Sequence, residues 1–593
     1  MFTTRPELVG SHGMVSSTHW LASQSGMAAL EAGGNAFDAA VAAGLVLQVV
    51  EPHMNGPGGE VPIVAWSERD QRPFVMCGQG ASPRAATIDA FVDDGLDLVP
   101  GTGLLPACVP GAFGAWMLLL RDHGTLRLRD VMRYAIEYAG GGFPLGRPAA
   151  YTIAGVRDLF VEHWPTSRDA WLPDGDVPTP LAMFRNPALA RTYDRLVTEA
   201  EQASADRDGQ IEAARRVFYE GFVARAIVEF AETPVMDVTG RPHRGLLGYD
   251  DLRDWRATVE EPVSLDYRGF TVLKPGPWSQ GPVFLQQLAL LDGFDLEGMD
   301  VASPELVHVV TECAKLAFAD REAYYGDPAW GDVPLDTLLS AEYADERRAL
   351  VTDMADAGGL RPGRPDGRSP QLPTAPVVGD AESDSSAVGE PTLDRSGRVA
   401  GDTCHLDVAD RFGNLVAATP SGGWLQSSPV VPELGFALGT RGQMFWLDRD
   451  HPNALAPGKR PRTTLTPSLA LRAGAPYLAF GTPGGDQQDQ WSLLFFLRHV
   501  HHGRNLQEAI DAPAWHTSHF PSSFYPRQAD PGALHIESRV GDEALAALRE
   551  RGHRLRVEDP WSLGRLCAVS RGADGTLRAG ANPRGMQGYA VGR

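Results

Sequence analysis

The chain has 593 residues, 43% hydrophobic and 22% charged, with 65 glycines and 46 prolines, a globular, turn-rich composition with room for one or two closely packed units. A formal net charge of −22 opposes docking on nucleic acid or on anionic membrane, because both need Lys and Arg to displace counterions. The five cysteines, Cys77, Cys108, Cys313, Cys404 and Cys567, are scattered without a C-x-x-C pair, the usage expected of a reduced, cytoplasmic protein and shared by an exported one without disulfides.

In chain order, the opening MFTTRPELVGSHGMVSS lacks the basic start and apolar core of a signal peptide. LASQSGMAALEAGGNAFDAAVAAGLVLQVVEP predicts two helices: Leu21 to Ala32, ended by Gly33 and Gly34, and a second that Asn35 or Asp38 starts and Pro52 stops. The second contains Gln48 and is too short to span a bilayer, so it is expected to be buried. HMNGPGGEVPIVAW places small residues before a strand, and Pro110 with Gly111 heads a further helix. Helical patterns dominate from Leu128 to about Leu350, with an extended piece at EPVSLDYRGFTVLKP. From Ala355 to Asp402 the chain is rich in Pro, Gly, Asp and Ser, which predicts a flexible surface segment. The rest is β-rich, with helices at SLLFFLRHVHHG and LQEAIDA. His499, His501 and His502 lack the i, i+4 spacing of a metal-binding pair and read as cations at a helix C-terminus; neither metal nor cofactor is expected.

The chemistry is carried by AGDTCHLDVADRFGNLVAAT. Thr403 to Ala409 and Asn414 to Thr419 read as a hairpin around DRFG, which puts Thr403 opposite Pro420, give or take one residue, with Thr419 and Ser421 flanking it. Three hydroxyls then converge. A threonine hydroxyl needs a base to become a nucleophile. If the Asp402 to Thr403 bond is cut, the new α-amine, with a reference pKa of about 7.7–8.0, lies beside the hydroxyl. A flexible lead-in lets that N-terminus emerge after folding. Farther on, in FGTPGGDQQDQ, Gly484 and Gly485 can aim two backbone N–H groups at a developing oxyanion. Cys404 should point to the opposite face as buried filler.

Taken together, LEAGGNAFDAAVAAGLVLQVVEP, MNGPGGE, VPGAFGAW, DTCHLDVADRFGNLVAAT, PGKRPRTTLTPSL, GTPGGDQQDQ, LQEAIDAP and ANPRGMQGYAVG resemble the γ-glutamyltransferase family of N-terminal nucleophile hydrolases, in the family's order from about residue 10 to the end. The resemblance implies an α+β fold, the four-layer αββα sandwich. It also implies self-cleavage between Asp402 and Thr403 into a large fragment, 1–402, and a small one, 403–593, that stay together as a heterodimer, and an acyl-enzyme on Thr403 with a small-molecule substrate. Higher oligomers are left open. On the family pattern Ser421 holds the hydroxyl that hydrogen-bonds the nucleophile, and Thr419 the neighbouring one that assists maturation.

Substrate recognition is where the pattern breaks. The family's arginine in R-E-x-A-P is Gln79 here, its aspartate after the N-Q-M motif is Trp446, and its asparagine beyond the second hydroxyl is Gly423. Gln443 is kept, and Thr463 with Thr464 replaces paired serines. An amide cannot replace a bidentate guanidinium, so glutathione is not the expected substrate; Trp446 reads first as a packed core or rim residue and second as an aromatic wall for another acyl group. Two alternatives stand beside this one: a carbon–carbon bond hydrolase of an antibiotic pathway, and an uncleaved, inactive scaffold.

Overall fold

A computed structural model describes residues 2–373, 377–378 and 403–593. Two seven-stranded sheets form its centre. Their strands are β1 Leu8–Gly10, β2 Gly13–Ser17, β3 Val61–Ser67, β4 Arg72–Gly78, β5 Thr258–Glu260, β6 Val263–Tyr267, β7 Phe270–Lys274, β8 Leu406–Asp410, β9 Leu415–Ala418, β10 Ser468–Arg472, β11 Ala475–Gly481, β12 Cys567–Arg571, β13 Leu577–Ala581 and β14 Tyr589–Gly592. The first sheet runs β14-β2-β8-β9-β3-β4-β5 and the second β1-β13-β12-β11-β10-β7-β6, antiparallel throughout.

The strands read apolar on both faces because both faces are covered. On β8 and β9, Leu406, Val408, Val416 and Ala418 face a helical layer, whereas Ala409, Leu415 and Ala417 pack with Leu469, Ala479 and Val569 of the other sheet. On β11, Leu478 and Phe480 face the second helical layer and Ala479 the sheet interface. The order helix, sheet, sheet, helix is the expected αββα sandwich. Helices α1 (Trp20–Glu31) and α2 (Ala36–Val50) belong to the first outer layer, and α3 (Gly281–Leu291), α4 (Pro304–Tyr324) and α5 (Gln488–Val500) to the second. No helix among the described residues is long and apolar enough to cross a membrane.

The glycine corner behaves as read. Gly33 sits at φ +93°, a conformation that ends α1 without strain. Asn35 and Asp38 both take part in starting α2, as the two halves of a capping box, and every residue of that helix is buried.

Two expectations need correction. Residues 355–373, the described start of the segment expected to be flexible, are irregular but tied down. Tyr324 donates to the Gly363 carbonyl at 2.7 Å, Gly363 N–H donates to buried Asp320 at 2.7 Å, and Arg347 donates to the Arg361 carbonyl. Side chains, not a ladder, satisfy this backbone, which composition does not reveal. Apart from 377–378, the remainder of that segment lies outside the described residues. Nor are the histidines at the end of α5 a cationic cluster: burial pushes His499 and His501 below the ordinary imidazole value. Each ties down a separate group, His499 the Tyr477 hydroxyl, His501 the Tyr267 hydroxyl and His502 the Met299 carbonyl.

Candidate active site

The β8–β9 ladder pairs Leu406 with Ala418, and an isolated bridge past its end pairs Thr403 with Ser421. That is the expected register, within its stated one residue. The two hydroxyl oxygens lie 3.2 Å apart, both fully buried. Ser421 is gripped from its other side by Glu60, whose N–H donates to the Ser421 carbonyl at 2.8 Å and whose carbonyl accepts from Ser421 N–H at 3.0 Å. The glycines of MNGPGGE are there for this approach: a Cβ on Gly59 would lie 2.0 Å from the Ser421 carbonyl oxygen. Gly423, at φ +66°, packs against the same segment, its Cβ position 2.9 Å from Gly59 N.

Thr419 occupies the next row, opposite His405. Its hydroxyl lies 2.9 Å from His405 Nδ1, and His405 Nε2 lies 2.9 Å from Asp407 Oδ1. All three side chains are inaccessible to solvent. Burial pushes Asp407 up to about 6, against the pull of His405. Cys404, between Thr403 and His405 in sequence, points to the helical side as expected, where its thiol donates to Glu51 at 3.1 Å. The histidine and aspartate escape a search for nucleophiles; the signal was the T-x-H-x-D alternation, which places three polar groups on one face of one strand.

Arg441 is a second residue that the motifs do not announce. Its Nη2 donates to the Ser421 hydroxyl at 2.8 Å, and its guanidinium is paired with Glu60. The guanidinium carbon lies 5.0 Å from the ring centre of Trp424 and 5.9 Å from that of Phe524, in cation–π range. Trp424, Met444 and Phe524 form their own small apolar cluster. Gln443 positions part of this wall: its side-chain oxygen accepts from Tyr525 N–H at 3.1 Å, and its amide donates to Thr440 and the Gly101 carbonyl.

Gly484 and Gly485 adopt φ +126° and +53° at the entry to the turn leading into α5. A Cβ on Gly484 would strike the Trp491 ring at 2.3 Å, and one on Gly485 would lie 3.0 Å from the Phe524 ring. Contacts therefore run from Thr403 through Ser421, Arg441 and Phe524 to the glycine turn. Asp486 anchors this turn, pairing with Arg321 and accepting from Ser523 N–H at 2.8 Å.

The remaining sequence candidates lie in more packed surroundings. Trp446 is 3% exposed and its ring is covered by Arg527 at 4.3 Å, so the aromatic surface nearest the hydroxyls belongs to Trp424 and Phe524 instead. Gln79 and Thr464 are buried, each with one side-chain oxygen that has no partner among the described residues, while Thr463 accepts from Leu465 N–H. Among the described residues, His308, Glu312 and His553 are spaced to share an ion, but Lys315 already pairs with Glu312 at 2.6 Å and the two imidazoles meet at 2.9 Å.

With this geometry in place, comparison with known proteins gives a consistent picture. The family model for gamma-glutamyltranspeptidase matches residues 22–592. The glutathione hydrolase-like YwrD proenzyme of Bacillus subtilis (strain 168) is 31% identical over 589 residues, 99% of each chain. The solved structure of LmbA2991HD has a TM-score of 0.95 and 56% identity over the whole of both chains. Cephalosporin acylase from Bacillus halodurans follows at TM-score 0.82 and 29% identity, covering 100% of this chain and 97% of its own.

Proposed function

The chain belongs to the gamma-glutamyltranspeptidase family, and from that premise we propose that it is a self-processing amide hydrolase or acyltransferase whose nucleophile is Thr403. Cleavage after Asp402 frees the α-amine of Thr403, which takes the hydroxyl proton as that oxygen attacks the substrate carbonyl. Ser421, donating or accepting at 3.2 Å and itself held by Arg441, keeps the nucleophile's rotamer. Gly484 and Gly485 supply N–H groups to the oxyanion. The amine of the substrate leaves, and water or a second amine resolves the ester. The observation that carries this reading is the buried Thr403–Ser421 hydroxyl pair at the first residue of the hairpin.

The acyl group is not glutamyl. Three of the family's contacts to glutamate are absent, and losing each charge-assisted contact costs on the order of 1.5–3 kcal/mol. Arg441 does not restore the missing positive charge, because Glu60 neutralises it. Trp424, Met444 and Phe524 instead favour an apolar or ring-bearing acyl group. A second reading shares the nucleophile but expels carbon: the same loss of glutamyl contacts suits cleavage of a carbon–carbon bond beside a carbonyl.

Sequencing the small fragment and assaying acyl release from glutathione, arylacetyl amides and β-diketones tests all of this. A fragment beginning at Thr403 with arylacetyl release is expected. Brisk glutamate release overturns the pocket argument, diketone cleavage alone selects the carbon–carbon reading, and a stable full-length chain leaves only the scaffold.

A further inference from the structure

The self-cleavage just proposed has a missing part. The α-amine that serves as base in turnover does not exist until the bond is cut; before that, the Thr403 nitrogen is an amide with no basic lone pair. Another group must accept the hydroxyl proton the first time. Arg441 is a permanent cation and the Glu60 carboxylate is occupied by it. The next row of the hairpin contains what is needed.

Resting on that reading, we propose that Asp407, His405 and Thr419 form the proton relay of the self-cleavage step, with His405 and Asp407 acting on Thr403 through Thr419. Thr403 and His405 continue the line of β8 ahead of Leu406, where Cys404 N–H donates to the Pro420 carbonyl at 2.9 Å, so with Asp407 they alternate onto one face; extending the register puts Thr419 opposite His405 and makes it the diagonal neighbour of Thr403. Diagonal neighbours in a ladder stand about 7–8 Å apart at the backbone and closer at their side chains, and one water, with a hydrogen bond of about 2.8 Å on each side, would join the two hydroxyls.

Hydrogen-bond bookkeeping gives the relay a direction. An ionised Asp407 only accepts, so His405 Nε2 carries the proton; Nδ1 is then a bare acceptor, and the Thr419 hydroxyl must donate to it. The Thr419 oxygen keeps lone pairs for a second proton. In the cleavage step the Thr403 oxygen bonds to the Asp402 carbonyl carbon, its proton passes to the bridging water as that water gives one to Thr419, and the Thr419 proton moves to His405, whose cation Asp407 stabilises. The proton returns to the Thr403 nitrogen as the C–N bond breaks, leaving an ester and a free amine. Water then hydrolyses the ester, releasing the Asp402 carboxyl group and restoring the Thr403 hydroxyl.

The packing preserves this arrangement. Gly481 of β11 presses on the imidazole, its Cβ position 2.3 Å from the ring, so the ring is locked in plane. The titratable group facing Asp407 from the second sheet is Cys567, whose thiol burial holds well above its ordinary value and therefore neutral. Ser16 of β2, the register partner of Asp407, spends its hydroxyl on the Gly580 carbonyl. Asp407 Oδ2 has no partner among the described residues, so the carboxylate's one directed contact is His405.

Asp407→Asn tests the direction with little change in shape. Turned to donate to Nε2, the amide puts the proton on Nδ1 and makes Thr419 accept, the wrong tautomer for a base; turned to accept, it keeps the tautomer but lacks the charge that stabilises the His405 cation. The chain is made by cell-free synthesis and its conversion to two fragments followed by denaturing electrophoresis at several pH values. Asp407→Asn and His405→Gln are expected to slow cleavage by about 10²–10⁴-fold, the usual contribution of a general base, and to slow cleavage at least tenfold more than they slow turnover by whatever mature enzyme accumulates. Thr419→Ser should retain cleavage and Thr419→Val lose it. Because protonation of Asp407 reverses the tautomer in the same way, wild-type cleavage should fall below a pH of about 6. Wild-type cleavage kinetics in Asp407→Asn, or a flat wild-type profile from pH 5 to 8, would overturn the relay while leaving self-processing intact. A wild-type chain that is never cut before Thr403 would instead sink the reading on which the relay rests.

Discussion

At Thr403 the nucleophile and the base are to be one residue, and this makes its substitution informative. Thr403→Ala removes the attacking oxygen, so the expected result is a full-length chain on a denaturing gel with no acyl release; two fragments of normal size in that variant refute the assignment. Glu60 is a subtler case. It neutralises Arg441, which is 1% exposed, and breaking a buried pair by removing one charge costs about 3–5 kcal/mol because the other is left uncompensated. Glu60→Gln should therefore lower stability by that order in urea unfolding of the uncut Thr403→Ala background, and Glu60→Gln with Arg441→Met should recover part of the loss. A double variant no better than the single one would show that the charge was not the cause. Asp489 gives a pH dependence. Burial pushes its carboxyl up to about 6 although Lys274 lies 2.8 Å away. The folded state then holds this proton more tightly than the unfolded chain, so the group's contribution is full below a pH of about 4 and is lost as pH rises through about 6. Asp489→Asn should flatten that decline by on the order of 1–3 kcal/mol, read from urea midpoints at pH 4, 5, 6 and 7.

At the scale of elements, the hairpin was legible because its turn declares itself. Asp410 accepts from the N–H groups of Phe412, Gly413 and Asn414, so DRFG fixes the register, and the register alone brings Ser421 to Thr403. The helical corner at Gly33 and Asn35 was legible for the same local reason. What pattern reading could not reach is what the pocket is made of: Arg441 and Glu60 stand 381 residues apart in sequence, and Phe524 arrives on a loop with no regular structure of its own. The His405–Asp407 pair was missed for another reason, since polar residues at every second position read as a solvated strand face, and only the second sheet turns that face inward. The MNGPGGE segment carries its own test. Gly59→Ala forces the Ser421 carbonyl away from a 2.0 Å clash, and a shift of about 1 Å at a catalytic group costs about 10²-fold in rate. Self-cleavage slowed by that factor is the expected outcome, together with a lowered melting temperature, because the added methyl also meets the Gly422 carbonyl oxygen at 2.4 Å and backbone must move to admit it; an unchanged rate would mean that the hydroxyl pair tolerates displacement.

The whole molecule is built so that being cut need not take it apart. A break before Thr403 assigns β1 to β7 to one fragment and β8 to β14 to the other, yet neither sheet belongs to one of them. In the first sheet β8 and β14 of the small fragment both pair with β2 of the large one, and β9 pairs with β3. In the second, β10 pairs with β7 and β13 with β1. Between the sheets Met14, Val64 and Leu273 from one fragment interleave with Leu415, Leu469 and Val569 from the other. Separation would thus expose backbone ladders and an apolar layer at once, a cost comparable to unfolding. Salt screens charges but does not weaken apolar burial, so the processed protein should elute as one species at 1 M as well as at 0.1 M sodium chloride. The fragments should part only in denaturant, in one transition seen alike by far-ultraviolet circular dichroism and by tryptophan fluorescence. Release of the small fragment by salt alone would mean that the two fragments meet through surface charges and not through shared sheets.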